Sequence, residues 1–377
     1  MSGRGAIIGI GLIGSGFIGK AHALAYRSAP AVFPDAGAPG LRILADVDPA
    51  TAAHAADAFG FESSTGDWRE LLTDPAVDVI DITTPNHLHE EMALAAIRAG
   101  KHVYCEKPLA PTGVGARRMF EAARAAEVQT MVGFNYLKNP MAALARQIIE
   151  SGEIGEVFAF RGTHFEDYMH DPGTLVNPWR LDPAAGDGVA SDLGSHAVAM
   201  ARFLVGDITS VSGRRITVLP ERSVAAGTMR VSVPDTVHAH LTFATGATGT
   251  IEVSWMAPGH KHTITAEVWA TKGTLSFDFE RLNELRLYEP GQAPGRAGFK
   301  TILAGPEHPG YGAFIPAPGH QLSFIDLKTI EVADLLRGLN SGAPLWPDFG
   351  EGLAVQLVLD AIEASDRSGR AVDVPTI

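Results

Sequence analysis

The chain has 377 residues, 46% of them hydrophobic and 19% charged, which suits two domains with their own cores and is too apolar for a disordered polypeptide. A formal net charge of -13 argues against nucleic acid or an anionic membrane as partner, since both are met by basic faces, and leaves a small molecule. The single cysteine, Cys105, excludes an internal disulfide and a cysteine-cluster metal site and fits a reducing compartment, the cytoplasm.

The first residues, Met1-Ser-Gly-Arg-Gly, lack the basic, apolar and small-residue succession of a signal peptide, and no segment has the length and polarity of a membrane span. Ala6 to Ile13 reads as a buried strand that runs into Gly14-Ser15-Gly16-Phe17-Ile18-Gly19, with Lys20-Ala-His-Ala-Leu-Ala-Tyr26 as the following helix. In this register Gly14 makes the turn, Gly16 admits a pyrophosphate to the backbone, and Gly19 lets helix approach strand, with the phosphates at the helix N-terminus. A second register, Gly9-x-Gly11-x-x-Gly14, also fits but leaves too little strand before the turn. A turn with a purely structural role is the alternative to cofactor binding.

Further strands are expected at Leu41 to Val47, Val77 to Thr83, His102 to Cys105 and Thr130 to Phe134, with alanine-rich helices between them, the alternation of a parallel sheet. Residues 29–40, rich in Pro, Gly and Ala, read as an extended loop. The second strand ends in Asp46-Val47-Asp48-Pro49. Asp46 stands about where a carboxylate accepts from both ribose hydroxyls and repels a 2′-phosphate, favouring NAD over NADP, with an ordinary polar strand end as the alternative, whereas Asp48 before Pro49 reads as a helix start. Two later strand ends, Thr84-Pro85-Asn86-His-Leu-His89 and Glu106-Lys107-Pro108, belong at the same carboxyl edge, where open α/β sheets bind ligands. The Lys107 ammonium there is suited to holding a substrate hydroxyl; a surface lysine in a turn is the alternative.

From Glu156 the texture changes to strand alternation, with runs at 157–161, 237–243, 249–255 and 263–269, giving a mostly antiparallel sheet. Residues 290–318 read as an ordered Gly/Pro-rich loop, followed by helices over 324–339 and 351–367. Gly186-Asp-Gly-Val-Ala-Ser-Asp192-Leu-Gly-Ser-His196 looks like a glycine-rich helix entry, with Asp192 and His196 four apart on one face. Histidine can take a hydroxyl proton while a carboxylate orients the ring, although helix capping alone also produces this pair. The histidines show no metal-ligand spacing. His260 and His262 flank Lys261 and, as alternate residues of a strand, share a face that could hold a metal, but the segment reads as a solvated strand end, so no metal is expected. His164, Tyr168, Trp179 and Arg180 precede the Asp192 helix and are candidate substrate contacts, because aromatic faces with a few donors suit a sugar ring; packing on the sheet is the alternative.

Taken together, Gly11 to Gly19, Thr84-Pro85-Asn86-x-x-His89, Glu106-Lys107-Pro108, Gly133-Phe-Asn-Tyr136 and Asp192-x-x-x-His196 resemble, over nearly the whole chain, the glucose-fructose oxidoreductase/inositol dehydrogenase/rhizopine catabolism family. The resemblance implies an N-terminal NAD-binding Rossmann domain, 1–135, and a C-terminal α+β substrate and oligomerisation domain with an open sheet, 136–377. It further implies reversible oxidation of a sugar or cyclitol hydroxyl in a homodimer or homotetramer. Lys107 would hydrogen-bond the reacting hydroxyl, Asp192 would position substrate and histidine, and His196 would accept the proton. A cis peptide before Pro108 is also implied. His22-Ala-Leu-Ala-Tyr26, Gly298-Phe-Lys-Thr301 and Gly305-Pro-Glu-His-Pro309 resemble the levoglucosan and related pyranoside dehydrogenases within that family. Leu137-Lys138, where many relatives carry arginine, and the insertion near 33–40 depart from the pattern. Within the same family, an NAD-retaining glycoside hydrolase and a non-catalytic dinucleotide-binding regulator are the competing readings.

Overall fold

A computed structural model describes residues 7–377. It contains two compact units: the described residues up to Lys138 together with Ser323–Leu353, and Asn139–Leu322 together with Ala354–Ile377. Where the sequence reading has one crossing near residue 135, the chain recrosses twice.

The first unit is built on six parallel strands, β1 (Ile8–Ile13), β2 (Pro39–Ala45), β3 (Ser63–Thr65), β4 (Val79–Ile82), β5 (His102–Cys105) and β6 (Thr130–Val132), in the order β3-β2-β1-β4-β5-β6. This is the doubly wound dinucleotide order, with the switch point between β1 and β4. Ile10, Leu12, Leu44, Val79, Val103 and Met131 are wholly buried, so the strands are apolar on both faces, as a parallel sheet covered by helices requires. Its helices are α1 (Phe17–Val32), α2 (Pro49–Phe59), α3 (Glu70–Thr73), α4 (His89–Arg98) and α5 (Gly113–Ala126), joined by the later helix Phe324–Ser341. Asp48 starts α2 as expected: its carboxylate accepts from Thr51 N at 3.0 Å, with Pro49 in the first turn.

Several boundaries differ from the sequence reading. Ala6 lies outside the described residues, and β1 begins at Ile8. The expected loop over 29–40 is largely ordered structure, because α1 continues through Pro30 to Val32 and a short 3-10 turn follows at Pro34–Ala36. Buried Ala29 and Phe33 anchor this stretch, and Phe33 N closes the helix on Ala29 O at 2.7 Å. Val47 falls outside β2 and is exposed. β3 is three residues of an edge strand, too short and polar to show an alternation.

The second unit carries a nine-stranded sheet, formed by β7 (Val157–Phe165), β8 (Ile208–Ile216), β11 (Thr236–Phe243), β12 (Thr248–Ser254), β13 (Thr263–Ala270), β14 (Gly273–Asp278), β15 (Glu284–Tyr288), β16 (Lys300–Leu303) and β17 (Val372–Asp373). A separate hairpin pairs β9 (Glu221–Val224) with β10 (Gly227–Arg230). The sheet is mixed: β7 runs parallel to β12, and the other neighbours are antiparallel. Helices α6 (Pro140–Glu150), α7 (Ser195–Val205) and α8 (Tyr311–Phe314) belong to this unit; Phe324–Ser341 is then α9 and Phe349–Ser368 is α10. The expected loop over 290–318 contains both β16 and α8. A wide π-type turn over Ala190–Gly194 leads into α7, and such turns often mark functional sites.

Candidate functional site

In the first unit, β1 delivers the chain into the turn through Gly14, whose φ of +100° is forbidding for other residues. A Cβ on Gly19 would lie 2.0 Å from Gly14 O, so only glycine permits this closeness of helix to turn. Gly9 and Gly11 lie inside β1, which settles the register in favour of Gly14-x-Gly16-x-x-Gly19. Gly16 is the N-cap of α1 and places no side chain over its first amides, and nothing stands within 4 Å of where its Cβ would be. These open, positively polarised amides fit a pyrophosphate. Phe17 is exposed beside them and stacks on Phe324 with ring centres 5.9 Å apart.

Asp46, just past the end of β2, lies next to this turn. Its Oδ2 accepts from Ser15 N at 2.9 Å and from Ser15 Oγ at 2.5 Å. The carboxylate is thereby fixed at the strand edge, a placement that fits an adenosine ribose. The next strand ends supply Thr84, Pro85 and Asn86, all half-buried. His89 is different. It is wholly buried, with Nδ1 2.9 Å from Pro108 O and Nε2 2.9 Å from Thr84 O, and burial lowers its pKa, so it braces the two strand ends against each other from inside.

Lys107 is half-buried, and the bond to Pro108 is cis. Directly before it, Glu106 is buried at the centre of a charged cluster. Its carboxylate accepts from His22 Nε2 at 2.9 Å, from Lys328 Nζ at 2.7 Å and from Lys107 N at 3.1 Å. His22 Nδ1 also meets Asp81 at 2.9 Å, and Lys328 reaches Glu331 at 2.7 Å and Tyr104 Oη at 3.2 Å. Burial alone would raise the Glu106 pKa, but the Lys328 charge and the His22 hydrogen bond hold it far below the usual carboxylate range. The sequence reading missed Lys328, Glu331 and His22. Their signal was faint: a Lys and a Glu three apart on the apolar face of α9, and a histidine among helix alanines.

In the second unit, Asp192 lies in the π-type turn and accepts from Arg180 Nη1 at 2.7 Å. Arg180 also lies over the Trp179 ring at 4.7 Å. The wide turn spreads residues that an α-helix would stack, so the spacing of Asp192 and His196 does not itself place them on one α-helical face. His196 opens α7 with 6% exposure, and its ring centre is 5.7 Å from that of His164. His164 is 1% exposed, with Nδ1 3.2 Å from Leu193 O, while Tyr168 is exposed and packs edge-on against Trp255. The sequence reading also passed over Glu166, which meets His262 Nδ1 at 2.8 Å and stands 3.6 Å from His164 Nε2. His262 is thus a member of an ordered cluster and not a solvated strand end.

The first unit defines a dinucleotide-dependent oxidoreductase: a doubly wound sheet, an open glycine turn at its switch point, a carboxylate fixed beside that turn, and a lysine at the strand edge. Residues 8–134 match the oxidoreductase family with NAD-binding Rossmann fold, and residues 142–276 match the GFO/IDH/MocA C-terminal domain. The chain belongs to the GFO/IDH/MocA oxidoreductase family, and NAD is its cofactor. It is 40% identical to levoglucosan dehydrogenase of Pseudarthrobacter phenanthrenivorans, over 98% of this chain and 99% of that one. A solved levoglucosan dehydrogenase in complex with NADH and levoglucosan has a TM-score of 0.95 at 40% identity, covering 99% of this chain and 100% of that one. An NAD-binding oxidoreductase from Klebsiella pneumoniae has a TM-score of 0.94 at 46% identity, covering 98% and 100%.

Proposed function

We propose that this protein oxidises a ring hydroxyl of a neutral pyranose, an anhydrosugar such as levoglucosan, or a cyclitol, with NAD⁺ as acceptor. The observation that carries this reading is the likeness to levoglucosan dehydrogenase along the full length of both chains. When bound, the nicotinamide accepts a hydride from the carbinol carbon. Lys107 hydrogen-bonds the reacting hydroxyl and favours its ionisation, and His196 takes the proton as the carbonyl forms. Asp192, held by Arg180, positions substrate and imidazole. Tyr168, Trp179 and Arg180 contact the sugar through an aromatic face and a charged donor, and His164 supports the His196 ring from its buried position.

The Gly14–Gly19 turn holds the pyrophosphate through its amides, assisted by Ser15, Phe17 and Ile18. Asp46 accepts from the ribose hydroxyls, and Thr84, Pro85, Asn86 and Glu106 shape the rest of the cofactor edge around His89. We assign 1–135 to cofactor binding and 136–377 to substrate binding and association, with the Ser323–Leu353 segment supporting the first unit. The sheet, on which Phe158 and Trp269 are exposed, is read as an interface between copies in a dimer or tetramer, checked by light scattering. A cytoplasmic location is consistent with the lone, buried Cys105. Among the described residues no helix is long and apolar enough to cross a membrane.

A panel of sugars, anhydrosugars and cyclitols with NAD⁺, read by NADH absorbance, tests the reading. Levoglucosan or a related pyranose should give NADH in step with product. A glycoside hydrolysed without NADH release, or no turnover on any member, would overturn it.

A further inference from the structure

The cluster of His164, Glu166 and His262 lies wholly within the second unit and has its own chemistry. His164 and Glu166 are alternate residues of one extended run, so they leave β7 on the same side. The β7–β13 register pairs Phe165 with Thr263, which puts His262 across from Glu166. One ligand atom from each residue lies within 4.8 Å of the other two.

The ring of His164 carries the argument further. Its Nδ1 faces the carbonyl of Leu193 at 3.2 Å, and a carbonyl only accepts, so Nδ1 holds the proton. In the neutral ring Nε2 then presents a lone pair toward the carboxylate of Glu166 at 3.6 Å. A cation belongs between these two acceptors, either a second ring proton that pairs His164 with Glu166 as an imidazolium or a metal ion held by both. Donating the other ring N–H to a backbone carbonyl is also how metal-ligating histidines are oriented.

We propose that His164 Nε2, a Glu166 carboxylate oxygen and His262 Nδ1 bind one divalent transition-metal ion of the Zn²⁺ class. Two imidazoles and a carboxylate suit borderline cations, and three protein donors leave a fourth position for water. Donors on a tetrahedral ion with bonds of about 2.0–2.2 Å stand about 3.4 Å apart, close to the His164–Glu166 separation. The ion takes the place of the hydrogen bond between His262 Nδ1 and Glu166, the ring proton of the neutral imidazole moving to Nε2 so that Nδ1 can ligate. The site is held in advance. Asp167 accepts from Lys261 Nζ at 2.7 Å and from Gly259 N at 3.1 Å, and Glu166 O accepts from Ala257 N at 3.0 Å, which fixes the turn that carries His262. Because His164 packs against His196, the ion lies next to the proposed proton acceptor, yet its binding needs neither NAD nor sugar and stands apart from the reading above.

The test uses full-length, untagged protein stripped with a chelator, titrated with Zn²⁺ by calorimetry and with Co²⁺ by visible absorption. We expect one ion per chain, micromolar affinity or tighter, and ligand-field bands of four- or five-coordinate Co²⁺. Glu166→Gln and His262→Gln should each weaken binding by about tenfold to a hundredfold. X-ray absorption of the Zn²⁺-loaded wild type, which needs no variant, should show two imidazoles. No saturable binding by the wild type would overturn the proposal and leave His164 as an imidazolium paired with Glu166. Binding unchanged in both variants, or a shell without imidazole, would overturn it equally.

Discussion

Arg180 Nη1 donates to Asp192 Oδ2 at 2.7 Å, tying the 3-10 turn that follows Asn177 to the wide turn that opens onto His196. Both side chains are partly exposed, so the pair contributes less to stability than to geometry. Arg180→Met should lower kcat/KM by about tenfold to a hundredfold through a misplaced Asp192, with the thermal midpoint almost unchanged. Steady-state kinetics alongside a thermal melt separates the two effects, and an unaltered kcat/KM would show that the pair is ornamental.

His196→Ala should reduce kcat by about a hundredfold or more while leaving the NADH dissociation constant within about twofold, as expected when a general base is lost and the cofactor turn is untouched. Single-turnover rates and a fluorescence titration with NADH measure the two quantities. Wild-type turnover would remove His196 from the chemistry.

Asp46→Ser should erode NAD⁺ preference. Losing charge-assisted hydrogen bonds to the ribose costs about 1.5–3 kcal/mol, or about tenfold to a hundredfold in kcat/KM with NAD⁺. With the carboxylate gone, the relative rate with NADP⁺ should rise. Parallel assays at saturating sugar decide this, and an unchanged ratio would mean that cofactor choice is made elsewhere.

Lys328→Met should destabilise the protein by about 3–5 kcal/mol, because Glu106 and Glu331 would be left as buried carboxylates without their shared cation. Removing Arg69, whose pairs with Asp67 and Glu91 are exposed, should cost no more than about 1 kcal/mol. Urea unfolding of the two variants gives the comparison, and equal losses would contradict it.

The same cluster sets a pH dependence. Burial opposes the charged form of His22, but Asp81 and Glu106 outweigh both this and the repulsion from Lys328, so its pKa lies above the ordinary value. Its contribution to stability is therefore complete below about pH 6.5 and is lost as pH rises through the folded value. Glu106, held low, contributes above about pH 4.3, and this is lost only as pH falls through its depressed value. Melting temperatures of wild type and His22→Gln from pH 6 to 9 should converge on the alkaline side. A constant offset across that range would assign the His22 effect to packing.

The parallel sheet and the glycine turn were legible because each is written locally: apolar runs alternating with alanine-rich helices, and glycines at fixed offsets. The strand end carrying Lys107 was legible for the same reason. What escaped depends on contacts distant in sequence. His262 joins His164 and Glu166 only through the β7–β13 register, and no pattern in residues 260–263 announces that pairing. Lys328 reaches Glu106 across a separation of 222 positions in the sequence. Residues 29–40 read as a loop, yet α1 continues through Pro30 to Val32, because buried Ala29 and Phe33 on either side outweigh the missing hydrogen bond.

The return of Ser323–Leu353 to the first unit has a consequence for how the protein is made. A ribosome that has released residues up to 138 has exposed every strand of the first sheet, but not the lysine that neutralises Glu106. Until α9 emerges, that carboxylate has His22 and the Lys107 amide as partners but no compensating Lys328 charge. The first unit is therefore complete only after most of the second has been synthesised, and a fragment cut at 138 would lack both Lys328 and Glu331.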